Sequence, residues 1–387
     1  MPMPIPAPIP IPIPIAVFDQ ALPAHRGEAH GESWREPIQE LAALRTTLAL
    51  ERGSFSGREE LWDVARRHLL VLNRMAPPLS AELLGIARGA AVDPEALVIL
   101  NHFTDLVQLT PTALGRPRSE HAPVARPDPG GGTSLYVCGS EGPILGQTWD
   151  LHPSTDPYVR IMRIRTAPHD NEWMCLTLTG CLGMAGMSNK GVAVVANNLS
   201  VADARIGLIW PALIRLLLEQ PNVASATELI MRTPGPGGHH YMLADGHAFA
   251  GIETSGRHQV RTQRSPKSAH LHTNHFFDPK LRRFENVPRA SSTYQRMEIA
   301  STRLVQTRPN TAHDVLRFLS SREGRPTAAV TRTRLEPATA PSAPARPAST
   351  TIAMSLVGGR AVLARGCAQD NPSIRLEIER WRGRTQL

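Results

Sequence analysis

The sequence predicts an α+β protein, a strand-rich body built as a layered sandwich and preceded by a mostly helical segment. Three observations carry this. Up to about residue 130, apolar side chains recur at helical spacing and are broken by proline and glycine. From Thr133 the period shifts towards two, with short β-type runs separated by glycine turns. The helical runs that interrupt those strands come in pairs, Trp210–Glu219 with Ala224–Met231 and Ser291–Thr307 with Ala312–Ser320. Paired helices beside a strand-rich body fit layers packed face to face.

The elements follow in order. The chain to residue 33 reads as extended or loosely packed, its first 25 residues a flexible lead in which proline alternates with isoleucine. Ser33-Trp34-Arg35-Glu36 has capping-box spacing and predicts a helix to about Leu50. A second helix is expected over Arg58–Met75, ended by Pro77-Pro78. A third covers Ala81–Arg88 behind Ser80, and Asp93-Pro94-Glu95 opens a fourth. Residues 111–131, rich in Pro, Arg and Gly, read as an exposed linker. Strands are expected at Thr133–Cys138, Ile144–Trp149, Val159–Arg165, Glu172–Leu178, Gly191–Ala196, His240–Ala244, Ala248–Glu253, His258–Arg264 and His270–His272. Residues 324–349 form a Pro/Ala-rich insertion. Thr351–Val357 and Arg360–Arg365 make a closing hairpin, followed by Ile374–Trp381.

Composition narrows the function classes. The net charge of +8 comes from scattered arginines; only Lys190, Lys267 and Lys280 are lysines, and aromatics are 5%. Without a basic block or stacking aromatics, nucleic acid is not the expected partner. No run of about 18 apolar residues exists, so no membrane partner is expected. Four cysteines without CxxC spacing fit a reducing, cytoplasmic setting. The Met1–Ile15 run alternates proline and carries no basic residue, unlike an export signal.

The informative stretch is Gly131-Gly132-Thr133-Ser134-Leu135-Tyr136-Val137-Cys138-Gly139, continued after a turn by Gly146-Gln147-Thr148-Trp149-Asp150. A Gly-rich loop, small polar residues at a strand start, a hairpin and an acid suit a chain that cuts itself just ahead of the strand. The new N-terminal residue then serves as nucleophile, with its own α-amine, of intrinsic pKa ~7.7–8.0, as base. An ordinary hairpin behind a loose linker is the plainer alternative.

This stretch resembles the acyl-coenzyme A:6-aminopenicillanic acid acyltransferase family of N-terminal nucleophile hydrolases, whose motif is Gly-Cys-Thr-(Thr/Ser) and then Gly-Gln-Asn-Trp-Asp. Further segments are similar to the family in order: Leu84–Gly89 with Leu100-Asn101, Gly183–Val192, Trp210-Pro211 with Arg215–Glu219, Ala244-Asp245-Gly246 with Ile252-Glu253, and His272-Thr273-Asn274-His275-Phe276. The resemblance implies a four-layer αββα sandwich (residues 132–387) behind a helical prepeptide (26–131). It implies self-cleavage between Gly131 and Gly132, and hydrolysis or acyl transfer on a small-molecule amide or acyl-thioester through a thioester acyl-enzyme; the two pieces should stay together because each buries the other's apolar faces. No cofactor or metal is implied, and a homo-oligomer is open. By motif, Asp150 orients the nucleophile's amine, Asn274 supplies the oxyanion donor, and the family's arginine falls nearest Arg346. Candidate substrate-contacting residues are Cys138, Trp149, Cys181, Gly186 and Met187.

Two positions depart from the pattern. Thr148 replaces an asparagine, and Gly132 stands where the family has its cysteine. Glycine can form neither the cleavage intermediate nor an acyl-enzyme. The chain therefore reads as an unprocessed precursor lacking its nucleophile through a Cys→Gly change, or as a pseudoenzyme that keeps a ligand pocket. Thr133 is a fallback nucleophile, although a one-residue shift turns its side chain to the opposite face. Cys138 lies ~20 Å along the strand and cannot substitute. His270, His272 and His275 with Asp278 could ligate a metal, but a polar strand end is preferred. His239-His240 reads as a turn, Asp245 and Glu253 as hairpin hydrogen-bond partners, and Leu213, Leu216 and Leu217 as core.

Overall fold

The computed structural model describes residues 12–117, 131–150, 153–166, 171–287, 291–321, 349–366, 368 and 371–379. Arg346, most of the 111–131 linker and nearly all of the 324–349 insertion lie outside these residues. The chain begins with β1 (Ile15–Phe18) and five helices, α1 (Pro23–Ser33), α2 (Arg35–Arg52), α3 (Arg58–Met75), α4 (Pro77–Ala90) and α5 (Pro94–Leu106). Residues 12–33 thus depart from the expected loose lead. β1 adds a parallel edge strand to Val159–Thr166. α1 exists through packing: Gly27 and Gly31 face Gly85 and Gly89 on α4, and a Cβ on Gly27 would lie 1.9 Å from the Glu82 carbonyl oxygen. Four glycines depress local helix propensity yet let two backbones touch, which sequence pattern alone does not reveal. Ser33 is no cap either, since its hydroxyl donates to Ala29 O at 2.7 Å.

The body starts with β2 (Ser134–Gly139) and β3 (Gly142–Asp150), then β4 (Val159–Thr166), β5 (Asn171–Leu178), β6 (Ala185–Ser188) and β7 (Ala193–Leu199). Helices α6 (Trp210–Leu218) and α7 (Val223–Arg232) precede β8 (Gly238–Ala244), β9 (Phe249–Thr254), β10 (Gln259–Gln263) and β11 (His270–His272). Helices α8 (Thr293–Gln306) and α9 (Ala312–Leu319) precede β12 (Ser349–Ser355), β13 (Arg360–Arg365) and β14 (Ile374–Glu377). β6 falls inside the Gly183–Val192 segment, at residues where no strand is expected from the sequence. Gly186 permits it, because any Cβ there would meet Met174 O at 2.0 Å.

One sheet has eight strands in the order β1-β4-β5-β6-β7-β8-β9-β10, and the other six, β11-β2-β3-β12-β13-β14. Helices α6 and α7 cover the first sheet, α8 and α9 the second, and β2 and β3 pack against β7. That is a four-layer αββα sandwich. Strand alternation divides its cores. Tyr136, Leu145 and Ile352 point between the sheets into the main core, while Leu135, Val137 and Ala353 point outward to Val315 and Leu319 of α9. The β2–β3 hairpin therefore lies at the centre of the layers with its open end facing the helical segment.

Candidate active site

At that open end Gly131 bridges Asp150, donating its N–H to Asp150 O at 2.8 Å and accepting Asp150 N–H at 3.0 Å. Beyond it, successive side chains of the strand face opposite ways. Ser134 donates to Asn197 Oδ1 (2.6 Å) between the sheets, whereas Thr133 Oγ1 accepts from Arg296 Nη1 (3.0 Å) on the α8 side. Position 132 goes with Ser134. A Cβ built on Gly132 would stand 3.4 Å from Asn197 Nδ2 and 3.7 Å from Gln147 Nε2, and only 2.5 Å from the Thr148 carbonyl oxygen.

The backbone of Gly132 is gripped from the α8 side. Its N–H donates to Asn274 Oδ1 (3.1 Å), its carbonyl accepts from Arg296 Nη1 (2.8 Å), and Arg296 Nη2 also donates to Asn274 Oδ1 (2.6 Å). Two donors on one atom fix the amide orientation, so the Asn274 nitrogen turns away and donates to Asn198 O at 2.9 Å. The loop carrying Asn274 is fastened at both ends. Thr293 Oγ1 accepts Asn274 N–H (2.7 Å), and the fully buried Glu253 carboxylate accepts from His272 Nε2 (2.8 Å), Phe277 N–H (2.6 Å) and Asp278 N–H (2.9 Å). Glu253 is thus a loop anchor and not the hairpin partner expected. Asp245 also bonds outside its hairpin, accepting Val223 N–H at the start of α7, as well as His247 N–H within it.

Beside Gly132 lies a cavity of about 60 Å³. Gly131, Gln147, Trp149, Asn197 and Asn198 line it from the sandwich, with Trp210 and His239; the helical segment contributes Arg45, Asn101 and Phe103. Asn197 is buried, and its Nδ2 has no hydrogen-bond partner among the described residues. Leaving such a donor unmade costs about 1–3 kcal/mol, a cost that a ligand oxygen in the cavity would remove.

A family model described as acyl-coenzyme A:6-aminopenicillanic acid acyl-transferase matches residues 137–342. The chain belongs to the acyl-coenzyme A:6-aminopenicillanic acid acyltransferase family. It is similar to the 40 kDa form of that acyltransferase from Emericella nidulans, 25% identical over 284 residues that cover 72% of this chain and 75% of the relative. Among solved structures it is similar to penicillin V acylase from Agrobacterium tumefaciens (12% identity, 66% of this chain and 89% of that one, TM-score 0.41). It is also similar to a mutant conjugated bile acid hydrolase from Clostridium perfringens (9% identity, 66% and 95%, TM-score 0.40).

Of the acyltransferase-family residues expected from sequence, Gly131, Gly132, Asp150, Asn274 and Trp149 are brought together. Asp150 is buried and Trp149 lines the cavity. The remaining substrate-contacting candidates lie elsewhere. Cys138 is exposed at the far end of β2, and Cys181, Gly186 and Met187 are buried in or beside the eight-stranded sheet without lining the cavity. Burial pushes the Cys175 and Cys181 thiols up to about 12, so neither is a nucleophile at neutral pH. No group of three His, Cys, Asp or Glu side chains among the described residues could hold a metal ion. Sequence reasoning missed Arg296 and Asn197. Arg296 is one of many arginines on amphipathic helices and carries no local signal. Asn197-Asn198, polar side chains closing an apolar strand, was a signal available to use.

Proposed function

We propose that this chain is an acyltransferase-family N-terminal-nucleophile protein held in one piece, with the machinery for amide or thioester chemistry built around position 132 and the attacking atom missing. One observation carries the reading. The N–H and carbonyl of Gly132 are both fixed by Asn274 and Arg296, while its empty side-chain position faces Asn197 Nδ2 and the cavity. With cysteine at 132, Sγ attacks the Gly131 carbonyl, whose oxygen already accepts Asp150 N–H. The 131–132 amide breaks as the thiol's proton passes to the departing nitrogen, water hydrolyses the resulting thioester, and the freed α-amine stays on Asn274 Oδ1. In turnover the sulfur takes an acyl group from the substrate, the amine moves the proton, and Asn197 Nδ2 donates to the oxyanion.

The test is Gly132→Cys on a denaturing gel. Pieces corresponding to residues 1–131 and 132–387 are expected; a persistently intact band sinks the reading. A second reading, a natural binding protein without chemistry, is favoured by the close approach of Thr148 O to the Gly132 Cβ position, which cysteine could occupy only if the strands part by several tenths of an ångström. An intact Gly132→Cys chain that still binds a small acyl compound is its expected result. The Thr133 variant draws no support, since that hydroxyl is engaged by Arg296 on the face away from the cavity.

A further inference from the structure

The cavity is also reached by a row of buried titratable groups that the reaction at 132 leaves unused. From β8, His239 points towards α5, where its Nε2 lies 3.0 and 3.1 Å from the two oxygens of Asp105. Both side chains are buried. Behind Asp105 stands His102, its Nδ1 3.1 Å from Oδ2, and behind that His68, whose Nδ1 lies 2.8 Å from Gly207 O. Gly237 is part of the arrangement: a Cβ there would be 1.9 Å from Asp105 Oδ1, so the carboxylate occupies space that any other residue would fill. Burial alone would push the Asp105 carboxyl up, but His239 and His102 outweigh it and hold it below the ordinary value.

A carboxylate can only accept, so in the neutral His239 ring the proton sits on Nε2 and Nδ1 keeps a lone pair. Nδ1 has no hydrogen-bond partner among the described residues. The ring lies between Trp210 (5.4 Å) and Tyr241 (5.5 Å), and the residue lines the cavity with Asn197 and Asn198. Asn198 is its cross-strand neighbour in the β7–β8 register. An imidazole oriented by a buried carboxylate, with its other nitrogen unengaged, is what activation of a weak nucleophile requires.

We propose that His239 is a general base of this cavity, taking the proton from the amine or water that attacks a bound acyl group, with Asp105 as its positioning residue. The acceptor's N–H or O–H bond breaks as its heteroatom bonds to the acyl carbon, and the proton goes to Nδ1. The bond from that carbon to the leaving thiol, alcohol or amine then breaks, and the leaving group takes the proton back. This rests on the acyl-substrate reading of the cavity but not on the residue at 132, because a bound ester or thioester can be attacked directly. Asp105 precedes position 132 and His239 follows it, so the dyad needs both parts of the chain.

The probe is 4-nitrophenyl acetate, with the full chain as it stands. His239→Gln is expected to lower the enzyme-dependent rate about 100-fold or more, and Gly237→Ala, which keeps both groups but displaces the carboxylate, should lower it too. Added imidazole should partly restore His239→Gly, a rescue that a purely structural role would not give. Nitrogen-15 NMR of the intact chain should find the proton on His239 Nε2. Release no faster than in buffer, an unchanged His239→Gln rate, no rescue, or the proton on Nδ1 would each overturn the assignment. The gel of the Gly132→Cys chain reads the other proposal separately: cutting with an unchanged His239→Gln rate sinks only this one, and His239-dependent release without cutting sinks only that one.

Discussion

Glu82 offers the sharpest stability test, because one carboxylate joins the helical segment to the sandwich. On α4, Glu82 is about 1% exposed and accepts from Arg26 Nε (3.0 Å) and Nη2 (2.7 Å) of α1 and from Arg215 Nη1 (2.8 Å) and Nη2 (3.3 Å) of α6. Arg215 is fully buried. Burial opposes ionisation of Glu82, yet the two guanidiniums more than offset it and hold its carboxyl below the usual range. Glu82→Gln keeps the shape but removes the charge and turns an amide NH₂ towards donors. Breaking a buried ion pair on one side costs about 3–5 kcal/mol, because the partner charge stays uncompensated. With a urea m-value near the upper end of the usual ~1–3 kcal/mol/M, the unfolding midpoint should fall by roughly 1–1.7 M. Equilibrium urea unfolding followed by tryptophan fluorescence reads this directly. A midpoint within about 0.3 M of the parent would refute the reasoning, since the triad would then be exchanging with water or be worth no more than a surface pair.

Two further outcomes follow. The chain should lose stability in mild acid: His30 Nε2 accepts Gly180 N–H (3.1 Å) and is therefore unprotonated, and burial, helped by Arg215 and opposed by Glu82, lowers its pKa to about 4. A lowered folded-state value means that this contribution is complete above the unfolded value near 6.5 and is lost as pH falls towards 4. At 1.36 kcal/mol per pKa unit that is roughly 3 kcal/mol. Urea midpoints between pH 7 and 4.5 should decline, less steeply in His30→Gln, and a flat profile contradicts the reasoning. Separately, Gly27→Ala should lower the melting temperature although alanine is the better helix former by ~1 kcal/mol, because its Cβ would strike Glu82 O and force α1 and α4 apart at about 1–3 kcal/mol. A raised melting temperature would mean that the two helices do not touch through their glycines.

The strands and the late helices were legible because their apolar residues repeat at two or at 3.6, and β11 and α9 fall within a residue of where pattern puts them. Motif spacing alone puts Gly132, Asp150 and Asn274 in order, and the fold sets Gly132 N–H on Asn274 Oδ1. What was not legible depends on contacts between distant segments. Helix α1 is specified by glycines on another helix, 58 residues on in the case of Gly27 and Gly85. β1 exists because β4 offers an unpaired edge. Arg296 and Asp105 look like ordinary helix charges until the fold brings Gly132 and His239 to them. A histidine pair after a Pro/Gly run reads as a turn, because nothing local says that β8 will carry His239 past a buried carboxylate.

On the proposed reading the two asparagines near Gly132 have different tasks, and Arg296, bonded to Asn274, separates the tasks. Motif order gives the oxyanion donor to Asn274. Yet Arg296 Nη2 and Gly132 N–H both aim at its oxygen. Rotating that amide to point NH₂ at the site would set three donors against one another and strip Asn198 O of its partner, at about 1–3 kcal/mol for each group left unmade. So long as Arg296 holds, Asn274 presents an oxygen to residue 132. On the proposed reading, that is what a freed α-amine needs in order to be held as a donor. The donor that an oxyanion needs must come from elsewhere, and the buried Nδ2 of Asn197, 3.4 Å from the side-chain position of residue 132, has no competing partner among the described residues. On the proposed reading the arginine therefore sets the polarity of the site: amine on the α8 side, acyl oxygen on the cavity side. On that same reading, a side chain at 132 is the path between them.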